Sequence, residues 1–395
     1  MRHLTLLSQA LVYLAILMTP AAAAAQGQDV VGTLSTLLLS QTTPNPVLPK
    51  DQAAATTTLD TVTQLVQVEM SNQPLSSSAG GFVYRLNEGL GTIERISPSF
   101  GPFFTERALL SGRGAASLGV TYRSASFTRL QGADLTDGSF PMNASRPVGS
   151  TLPNDVDSLA LELSTHTLTM FGTVGVTDRL DVGVAVPVVT VDVEGRRVNT
   201  FRGVSSLQAI GAAHATGLGD VALRARYAVA GDAQRGLAAG LDLRLPTGRE
   251  EDLLGAGEAS ARMFGIGSFE HGPIATHLNA GYSVGGVSRE IGYNAAVTYA
   301  ALPRVTVVGE LLGRRLSNLR RMRDVYAPHA TVAGVETMRW LPEGDGVNQV
   351  LASSGMKLNV GGSYLLTANV LFRLTDLGLA ARVVPSITLD YTFGR

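Results

Sequence analysis

The chain lacks cysteine, contains a single tryptophan and has few charged residues for its length. The absence of cysteine excludes disulfides, thiolate metal sites, cysteine nucleophiles and a lipoprotein anchor. Charged residues account for 16% of the 395 positions, whereas typical soluble domains carry about 25%. The formal net charge of −1 gives no indication of nucleic acid as a partner. This composition is therefore a poor match for an ordinary cytosolic domain.

Long apolar runs are also missing, except for one at the beginning of the chain. An apolar run over residues 4–18 follows Arg2, and the small residues of 20–25 precede Gln26. This order is typical of a secretory signal peptide, which we assign to residues 1–25. The alternative, a membrane anchor, is disfavoured because a helix that crosses a bilayer needs about 20 apolar residues.

The chain is rich instead in strict alternation, most clearly over residues 217–248. The apolar positions are Val221, Leu223, Ala225, Tyr227 and Val229, then after a polar turn Leu237, Ala239, Leu241, Leu243 and Leu245. Because successive side chains of a strand point to opposite faces, the alternation predicts a β-hairpin with one face suited to hydrocarbon. The charged residues on the other face are Arg224, Arg226, Asp242 and Arg244.

The same alternation recurs from residue 114 to the end and predicts about twelve strands. The predicted connections are short at 177–179, 230–236, 270–272, 301–303 and 360–362, and long at 131–157, 194–216, 247–258 and 317–348. An exported chain of amphipathic strands fits the bacterial outer membrane, where a closed barrel satisfies every backbone group. We therefore expect an all-β protein whose residues 114–395 form a transmembrane antiparallel up-and-down β-barrel. Its short turns and both chain ends are expected in the periplasm.

Three details of the strands are also predicted. The apolar residues of 159–163 and of 168–170 have opposite parity, which predicts a bulge or register change near 165–167. Pro187 cannot donate to a ladder, so a local break is expected there. Aromatic residues near strand ends suit an interfacial girdle, and they are Tyr122, Phe171, Tyr227, Tyr282, Tyr299, Phe372 and Phe393.

The segment between the signal peptide and the barrel divides into two parts. Residues 26–79 are rich in Gln, Thr, Ala, Ser and Pro, a composition that predicts a low-complexity, largely flexible segment. Two patches within it, 33–40 and 59–70, have helical periodicity, with disorder as the alternative. Residues 80–113 contain two short strand patterns and aromatic residues beside Gly and Pro. We expect an ordered segment there, which seals the periplasmic mouth or folds into the lumen as a plug.

The inward faces of the predicted strands carry a lumen charged cluster, which consists of Asp220, Arg224, Arg226, Asp242, Arg244, Glu310, Arg314, Arg373 and Asp390. The inward orientation follows because an Arg or Lys that faces lipid near the midplane costs about 2–4 kcal/mol. Two interpretations stay open. In one, the charged walls of a narrow or gated pore select solutes electrostatically. In the other, Arg–carboxylate pairs satisfy one another inside a filled barrel.

Neither a catalytic site nor a metal site is predicted. His166 lies among Ser and Thr residues and His277 lies on another strand, but no spacing selects a nucleophile and its base. The acidic run 250–252 offers oxygen ligands of the kind calcium accepts, although a solvated loop is the simpler interpretation. Phosphate-binding glycine loops and zinc spacings are missing too. We expect a protein that is not an enzyme and has no cofactor.

Five pieces of the sequence occur in an order that resembles a known family. They are 175–187 (GVTDRLDVGVAVP), 217–227 (GLGDVALRARY), 243–248 (LRLPTG), 277–282 (HLNAGY) and 309–314 (GELLGR). With these pieces the chain resembles outer-membrane barrels labelled for the MetA pathway of phenol degradation. The resemblance implies a barrel and a transport role for aromatic or other hydrophobic compounds.

Two functions are compatible with these patterns. The first is a channel or transporter for small, hydrophobic or aromatic solutes, gated by the N-terminal segment. The second is a non-transporting surface barrel that binds through its long loops, above all 317–348. In both cases the barrel is surrounded by outer-membrane lipid, and nucleic acid is not expected as a partner. The last strand ends on Tyr391 and Phe393, which predicts recognition by the barrel-assembly machinery, although Gly394 and Arg395 follow the aromatic residue.

Overall fold

The computed structural model describes residues 29–71, 74–77, 81–82, 84–87, 92–232 and 234–393. The predicted signal peptide and residues 26–28 lie outside this part of the chain. Within it, twelve antiparallel strands close into a barrel, which confirms the predicted fold class. Neither helix in the described residues is both long and apolar enough to span a bilayer.

The barrel follows a short N-terminal set of elements: α1 (Val30–Leu39), α2 (Gln52–Ser71), β1 (Tyr84–Asn87) and β2 (Thr92–Arg95). The wall consists of β3 (Ala116–Leu130), β6 (Asp155–Thr177), β7 (Leu180–Phe201), β8 (Val204–Leu218), β9 (Val221–Gly231), β10 (Arg235–Leu245), β11 (Ser260–His271), β12 (Ile274–Gly285), β13 (Glu290–Leu302), β14 (Val305–Leu316), β17 (Val347–Gly361), β18 (Tyr364–Arg373) and β20 (Val383–Phe393). Shorter strands in the connections are β4 (Ala133–Asp134), β5 (Phe140–Pro147), β15 (Arg321–Pro328), β16 (Val335–Glu343) and β19 (Leu379–Ala381). Because β8 and β9 both pair with β7, they form one wall strand together, and β20 closes the ring on β3.

The two ends of the barrel differ in the length of their connections. At one end, which we call the turn side, five connections of two or three residues join the strands, and the wall also begins and ends there at Ala116 and Phe393. At the other end, which we call the loop side, the connections at 131–154, 246–259 and 317–346 are long. This asymmetry is the predicted one.

The prediction of a long loop at 194–216 is wrong. β7 continues to Phe201 and β8 begins at Val204, so a turn of two residues joins them. Both turn residues, Arg202 and Gly203, have positive φ (49° and 83°), which is the conformation that suits tight hairpins. β6 and β7 contain 23 and 22 residues, roughly twice the 9–11 that a transmembrane strand needs. The polar residues of this stretch therefore lie on a hairpin that projects beyond the rest of the wall on the loop side.

The outward face of the wall is apolar and the inward face carries the charges. On β9 and β10, Leu223 and Tyr227 are exposed outside, whereas Arg226 and Asp242 are buried inside, as the alternation predicts. Six of the seven predicted girdle residues are exposed on the outer surface. The assignment of Phe171 to the girdle is wrong, because this side chain lines a cavity in the lumen.

The predicted bulge near 165–167 is also wrong. The pairing of β6 with β3 runs without interruption along 163–174. The leucines of 159–163 face inward and are buried, whereas Leu168 is exposed on the outer surface. The apolar residues change face because the lumen itself is apolar in the loop-side half, where it contains α1 and α2.

A break occurs opposite Pro187, but in the neighbouring strand. β7 is continuous at Pro187, where the sequence predicts an interruption. β8 ends at Leu218 and β9 begins at Val221, directly across from the proline. Since proline has no N–H to offer, the partner strand loses its ladder at this point.

The main apolar core lies inside the loop-side half of the barrel. α1 packs against β7 and β8, and α2 packs against β5, β16 and β19. The buried residues of α1 are Val30, Thr33, Leu34, Leu37 and Leu38, which follow the spacing of an amphipathic helix. They form one cluster with the inward leucines of β6. Because each fully buried aliphatic side chain contributes about 1.5–3 kcal/mol, apolar burial holds these helices in place.

Two expectations concern the N-terminal part. Within the described Asp29–Ser71, both patches with helical periodicity lie in helices and several of their apolar side chains are buried, while the flexibility expected for residues 26–79 as a whole stays a prediction. The end of the chain that is expected in the periplasm lies outside the described residues, which begin on the loop side. The N–H of Val31 donates to the carbonyl of Glu251, at 3.0 Å, in a loop-side connection. Of the described residues that follow, 74–77 and 99–113 lie in the lumen, and β3 begins on the turn side.

Candidate functional site in the lumen

Residues 99–113, which we call the turn-side segment, lie in the lumen of the turn-side half. The side chains of Phe100, Phe103 and Phe104 are buried there. Glu310 of β14 accepts hydrogen bonds from the backbone N–H groups of Phe103 (2.7 Å) and Phe104 (3.1 Å). The hydroxyl of Ser268 accepts one from the N–H of Ala108 at 2.9 Å. Polar side chains of the wall therefore bind the backbone of this segment directly.

A buried ion-pair network connects the turn-side segment to β9 and β10. The carboxylate of Glu106 accepts hydrogen bonds from Arg224 and, at 3.0 Å, from Arg226. Arg224 also forms a bidentate pair with Asp242 at 2.5 and 2.7 Å, and Arg226 binds Asp181 at 2.8 Å. Two guanidinium groups thus face three carboxylates, with every side chain at most 12% exposed. Such a buried network of ion pairs fixes the position of the segment that contributes to it.

A second group of ion pairs, which we call the loop-side latch, lies at the end of α2. The carboxylate of Glu69 pairs with Arg314 at 3.0 Å and Arg373 at 3.2 Å, and Gln349 also donates to it. A negative charge near the C-terminal end of a helix is unfavourable, because the helix dipole is negative there. The two arginines of the wall offset this cost and connect α2 to β14 and β18.

The remaining predicted charges have separate roles. Asp220 accepts hydrogen bonds from the N–H groups of Gly248 (3.1 Å) and Ala256 (2.8 Å), and so holds the 246–259 connection folded. Asp390 lies within electrostatic range of Lys357, whose ammonium donates to the carbonyl of Pro102 at 2.7 Å. Arg244 borders the two cavities described below. The nine predicted residues all lie on inward faces but form several groups instead of one cluster.

Four charged residues of these groups are absent from the sequence prediction. Asp181 and Lys357 occupy inward positions of strands, so the alternation itself contains the signal for them. Glu69 and Glu106 belong to segments without two-residue alternation, and their partners lie more than a hundred residues away. No pattern in the sequence shows that these two carboxylates meet the arginines of the wall.

Two cavities of about 110 and 100 Å³ adjoin the network. Both are lined by Pro74, Leu75, Arg224 and Arg244, so the chain at 74–75 separates them. The smaller cavity is lined by Phe104 and Glu106 of the turn-side segment. The larger cavity borders a loop-side connection at Leu254, and the smaller one borders another at Ser288. The lumen is thus filled at its two ends and retains space between them.

The two histidines considered for catalysis are not brought together. His166 lies on the outward face of β6, where its Nδ1 is 2.9 Å from the hydroxyl of Tyr122. His277 is fully buried, and its Nδ1 is 2.8 Å from the hydroxyl of Ser268, which already accepts from Ala108. Across the described residues, no group of three or more His, Cys, Asp or Glu side chains is placed to hold a metal. The acidic run at 250–252 instead pairs with Gln67 and Arg249.

The loop-side latch predicts a response to acid. Burial opposes ionisation of Glu69, but Arg314 and Arg373 together lower its pKa below the usual 4.5. For a carboxyl whose pKa is lowered on folding, the stabilisation is present above the usual pKa and is lost as the pH falls through the lowered one. We expect backbone hydrogen exchange in α2 to accelerate below about pH 4.5. Glu69→Gln should exchange faster at neutral pH and lose this acid step, and an unchanged acid step in that variant would contradict the assignment.

Comparisons with known proteins give the following result. A scan against models of protein families matches none, and a search of curated proteins finds no match, so the resemblance to phenol-degradation barrels stays an expectation. Solved structures similar to the chain include an outer membrane channel from Pseudomonas putida F1, with 14% identity and a TM-score of 0.45 over 71% of this chain and 96% of the other. The KdgM porin in complex with disordered oligogalacturonate has 7% identity and a TM-score of 0.37 over 70% and 99%. The NanC porin has 9% identity and a TM-score of 0.37 over 71% and 100%. At these values the likeness carries no inference about function.

Proposed function

We propose that the protein is an outer-membrane channel for small, hydrophobic or aromatic solutes, which its own N-terminal segment closes. The turn side then faces the periplasm and the loop side faces outward. The membrane location is supported by the outer surface of the wall, where large apolar side chains are exposed on strand after strand. A soluble monomer rarely exposes such a continuous apolar surface, whereas surrounding hydrocarbon buries it.

The observation that carries the proposal is that peptide, and not side chains of the wall, fills the turn-side half of the lumen. Side chains alone fill the interior of a barrel of about eight strands, and twelve strands enclose more space. The turn-side segment that occupies this space is attached through hydrogen bonds, ion pairs and the buried rings of Phe100, Phe103 and Phe104. Water can replace the polar partners, whereas α1 and α2 belong to the largest apolar cluster of the lumen. We therefore assign the movable part of the closure to the turn-side segment.

The proposed solute class is supported by the lining of the larger cavity. Phe171, Pro187 and Leu254 give it an apolar side, and Arg224 and Arg244 give it a polar one. A small apolar or aromatic molecule can make van der Waals contacts with the apolar side while its polar groups contact Arg224 and Arg244.

A reversible disulfide lock tests the proposal. A Cβ atom at Gly236 of β10 would lie 2.8 Å from that of Ala108. The two Cβ atoms therefore need to move apart by only about 1 Å to reach the Cβ–Cβ distance of a disulfide. The native chain has no cysteine, and an Ala108→Cys, Gly236→Cys pair therefore introduces the only two thiols. In planar bilayers we expect openings from the wild type, none from the oxidised variant, and their return after reduction.

The single variant Ala108→Cys is the matched control, and thiol labelling verifies that the lock has formed. Oxidised protein that conducts like the wild type would show that the segment is not the gate. A wild type that never conducts, together with a reduced variant that never conducts, would instead favour a non-transporting surface barrel. The projecting β7–β8 hairpin supports that second function, because Val204, next to its turn, and Ile210, further along β8, are 73% and 68% exposed.

Assembly of this barrel is proposed to use its last strand. Tyr391 and Phe393 of β20 lie on the outer surface at the turn side, next to the closing pair with β3. An aromatic strand end in this position supports recognition by the barrel-assembly machinery.

A further inference from the structure

The part of the wall that projects on the loop side is a sheet with two unequal edges. Its strands pair in the order β15, β16, β5, β6, β7, β8. The edge strand β15 contains Arg321, Arg323 and Pro328, which are residue types that keep other strands from pairing with an edge. The other edge strand, β8, contains no Lys, Arg, Asp, Glu or Pro. One edge of the sheet is therefore protected and the other is not.

The outward residues of β8 direct their backbone groups to its free edge. Gly217 and Gly219 face inward, since Cβ atoms added to them would contact Leu254. The N–H of Gly219 donates to the carbonyl of Pro187 on β7 at 2.9 Å. Because backbone groups change side together with the side chains along a strand, the inward residues of β8 bond to β7 and the outward ones point away from it. These outward residues are Ile210, Ala212, His214, Thr216 and Leu218, all of which are exposed.

Most of this edge has no partner among the described residues. Next to the β7–β8 turn the chain itself supplies one, since the N–H of Thr42 donates to the carbonyl of Gln208 at 3.3 Å. From Ile210 to Leu218, the described residues that bond to the backbone of β8 are those of β7 on its other side. An exposed edge of this length is a template for a further strand.

Carboxylates flank the edge on the outer face of the sheet. Glu194 of β7 lies directly opposite Ala212 of β8 and, on its other side, directly opposite Glu162 of β6. Asp192 adds a third carboxylate to this face, whereas Arg196 is the nearest arginine on the outward side of β7. Because the side chain of Ala212 is short, a basic side chain on an added strand can reach across it to Glu194. The edge therefore suits a strand with basic side chains on its outward face.

We propose that the free edge of β8 binds an extended basic peptide, which joins the sheet as a further antiparallel strand. Backbone hydrogen bonds supply the affinity, and Glu194 selects for basic side chains. A second copy of the chain is a poor fit. Wall strands tilt by about 35–45°, so the β8 strands of two copies in one membrane would cross at about 70–90° and could not run side by side. The proposal goes beyond the channel function, because peptide binding at this edge does not require conduction.

Modified peptides test whether a strand is added. The probe is a fluorescein-labelled peptide of alternating lysine and threonine, and fluorescence anisotropy follows its binding to the detergent-solubilised full chain. In an antiparallel ladder, lysines on the outward face direct their backbone N–H groups to β8. N-methylation of the lysine backbone nitrogens should therefore abolish binding, whereas N-methylation of the threonine nitrogens should preserve it. A peptide of alternating glutamate and threonine should bind about tenfold more weakly or worse.

Substitutions in β7 and β8 test the location. Ala212→Pro removes an N–H from the free edge but none that bonds to β7, and should weaken peptide binding about tenfold or more. Ala212→Thr keeps the N–H and is the matched control. Glu194→Gln should weaken binding of the lysine peptide, whereas Asp324→Asn on β15 should not. A heat-modifiable gel band shows that each barrel is folded.

Four results would contradict the proposal. Equal binding of the two methylated peptides would show that no ladder forms, and binding unchanged by Ala212→Pro would place the peptide elsewhere. A wild-type dimer that Ala212→Pro dissociates would assign the edge to a second copy. Peptide binding that appears only after removal of residues 26–28 would assign it to the start of the chain itself.

Discussion

Deletion of residues 27–112 is expected to convert a mostly closed barrel into one that conducts continuously. The deletion removes both helices and nearly all of the turn-side segment, and with them the peptide that fills the two ends of the lumen. The wall keeps all of its strand pairs, including the closure between β20 and β3. In planar bilayers the variant should show a steady open level where the full chain shows brief openings.

A shorter deletion provides the matched control. Removing 27–71 takes away α1 and α2 but leaves the turn-side segment with its bonds to Glu310, Arg224 and Arg226. This variant should stay largely closed, because the segment still occupies the turn-side half. Equal conductance of the two deletions would place the closure in the helices. A heat-modifiable gel band for both would show that the barrel survives the loss of its apolar contents.

Glu106→Gln is expected to release the turn-side segment without damage to the wall. Glu106 belongs to the segment, and the pairs Arg224–Asp242 and Arg226–Asp181 both remain within the wall after the substitution. The segment loses two charge-assisted hydrogen bonds, each worth about 1.5–3 kcal/mol. The population of the open state should therefore rise by roughly a hundredfold or more. Single-channel recording measures this as the ratio of open to closed time.

The control for this substitution is Glu343→Gln. Glu343 also pairs with an arginine, Arg323, at 2.8 Å, but both side chains are more than half exposed. Exposed pairs contribute only about 0–1 kcal/mol, so this variant should behave like the wild type. If both variants open the channel alike, the effect of Glu106→Gln arises from the lost charge in general and not from the attachment of the segment. Protease cleavage within 99–113 in the Glu106 variant alone would support release.

The wall of the barrel was predictable because its two faces meet different surroundings at every second residue. The hairpin of β9 and β10 shows this most clearly, and the orientation of its arginines follows from their high cost in hydrocarbon. The β7–β8 hairpin was not predictable in the same way. Its far half lies beyond the apolar band of the wall, and over 194–200 (EGRRVNT) polar and charged residues occupy both faces. The two-residue alternation is lost there, and the pattern is typical of a loop.

The contents of the lumen were predictable only in part. The helical periodicity of 59–70 indicates α2. At 159–170 the apolar residues change from the inward to the outward face, because the lumen is apolar on the loop side. The cause of that change requires knowledge of a distant segment, because Leu159 and Leu161 belong to the same apolar cluster as helices that end more than eighty residues earlier. The ion pairs of Glu69 and Glu106 could not be predicted for the same reason, because their partners also lie in distant parts of the chain. Contacts between a segment without alternation and a regular wall leave no local periodicity to recognise.

The path of the N-terminal segment constrains the order in which this protein is assembled. The segment begins beside a loop-side connection, passes along the lumen and joins β3 on the turn side, while the ring is completed between β3 and β20. A helix with its side chains is about 10–12 Å wide, so α1 and α2 have no easy way past the turn-side contacts once the ring is complete. We therefore expect the helices to be inside before the first and last strands pair. On this order of events, the N-terminal segment serves as an internal template around which the sheet closes.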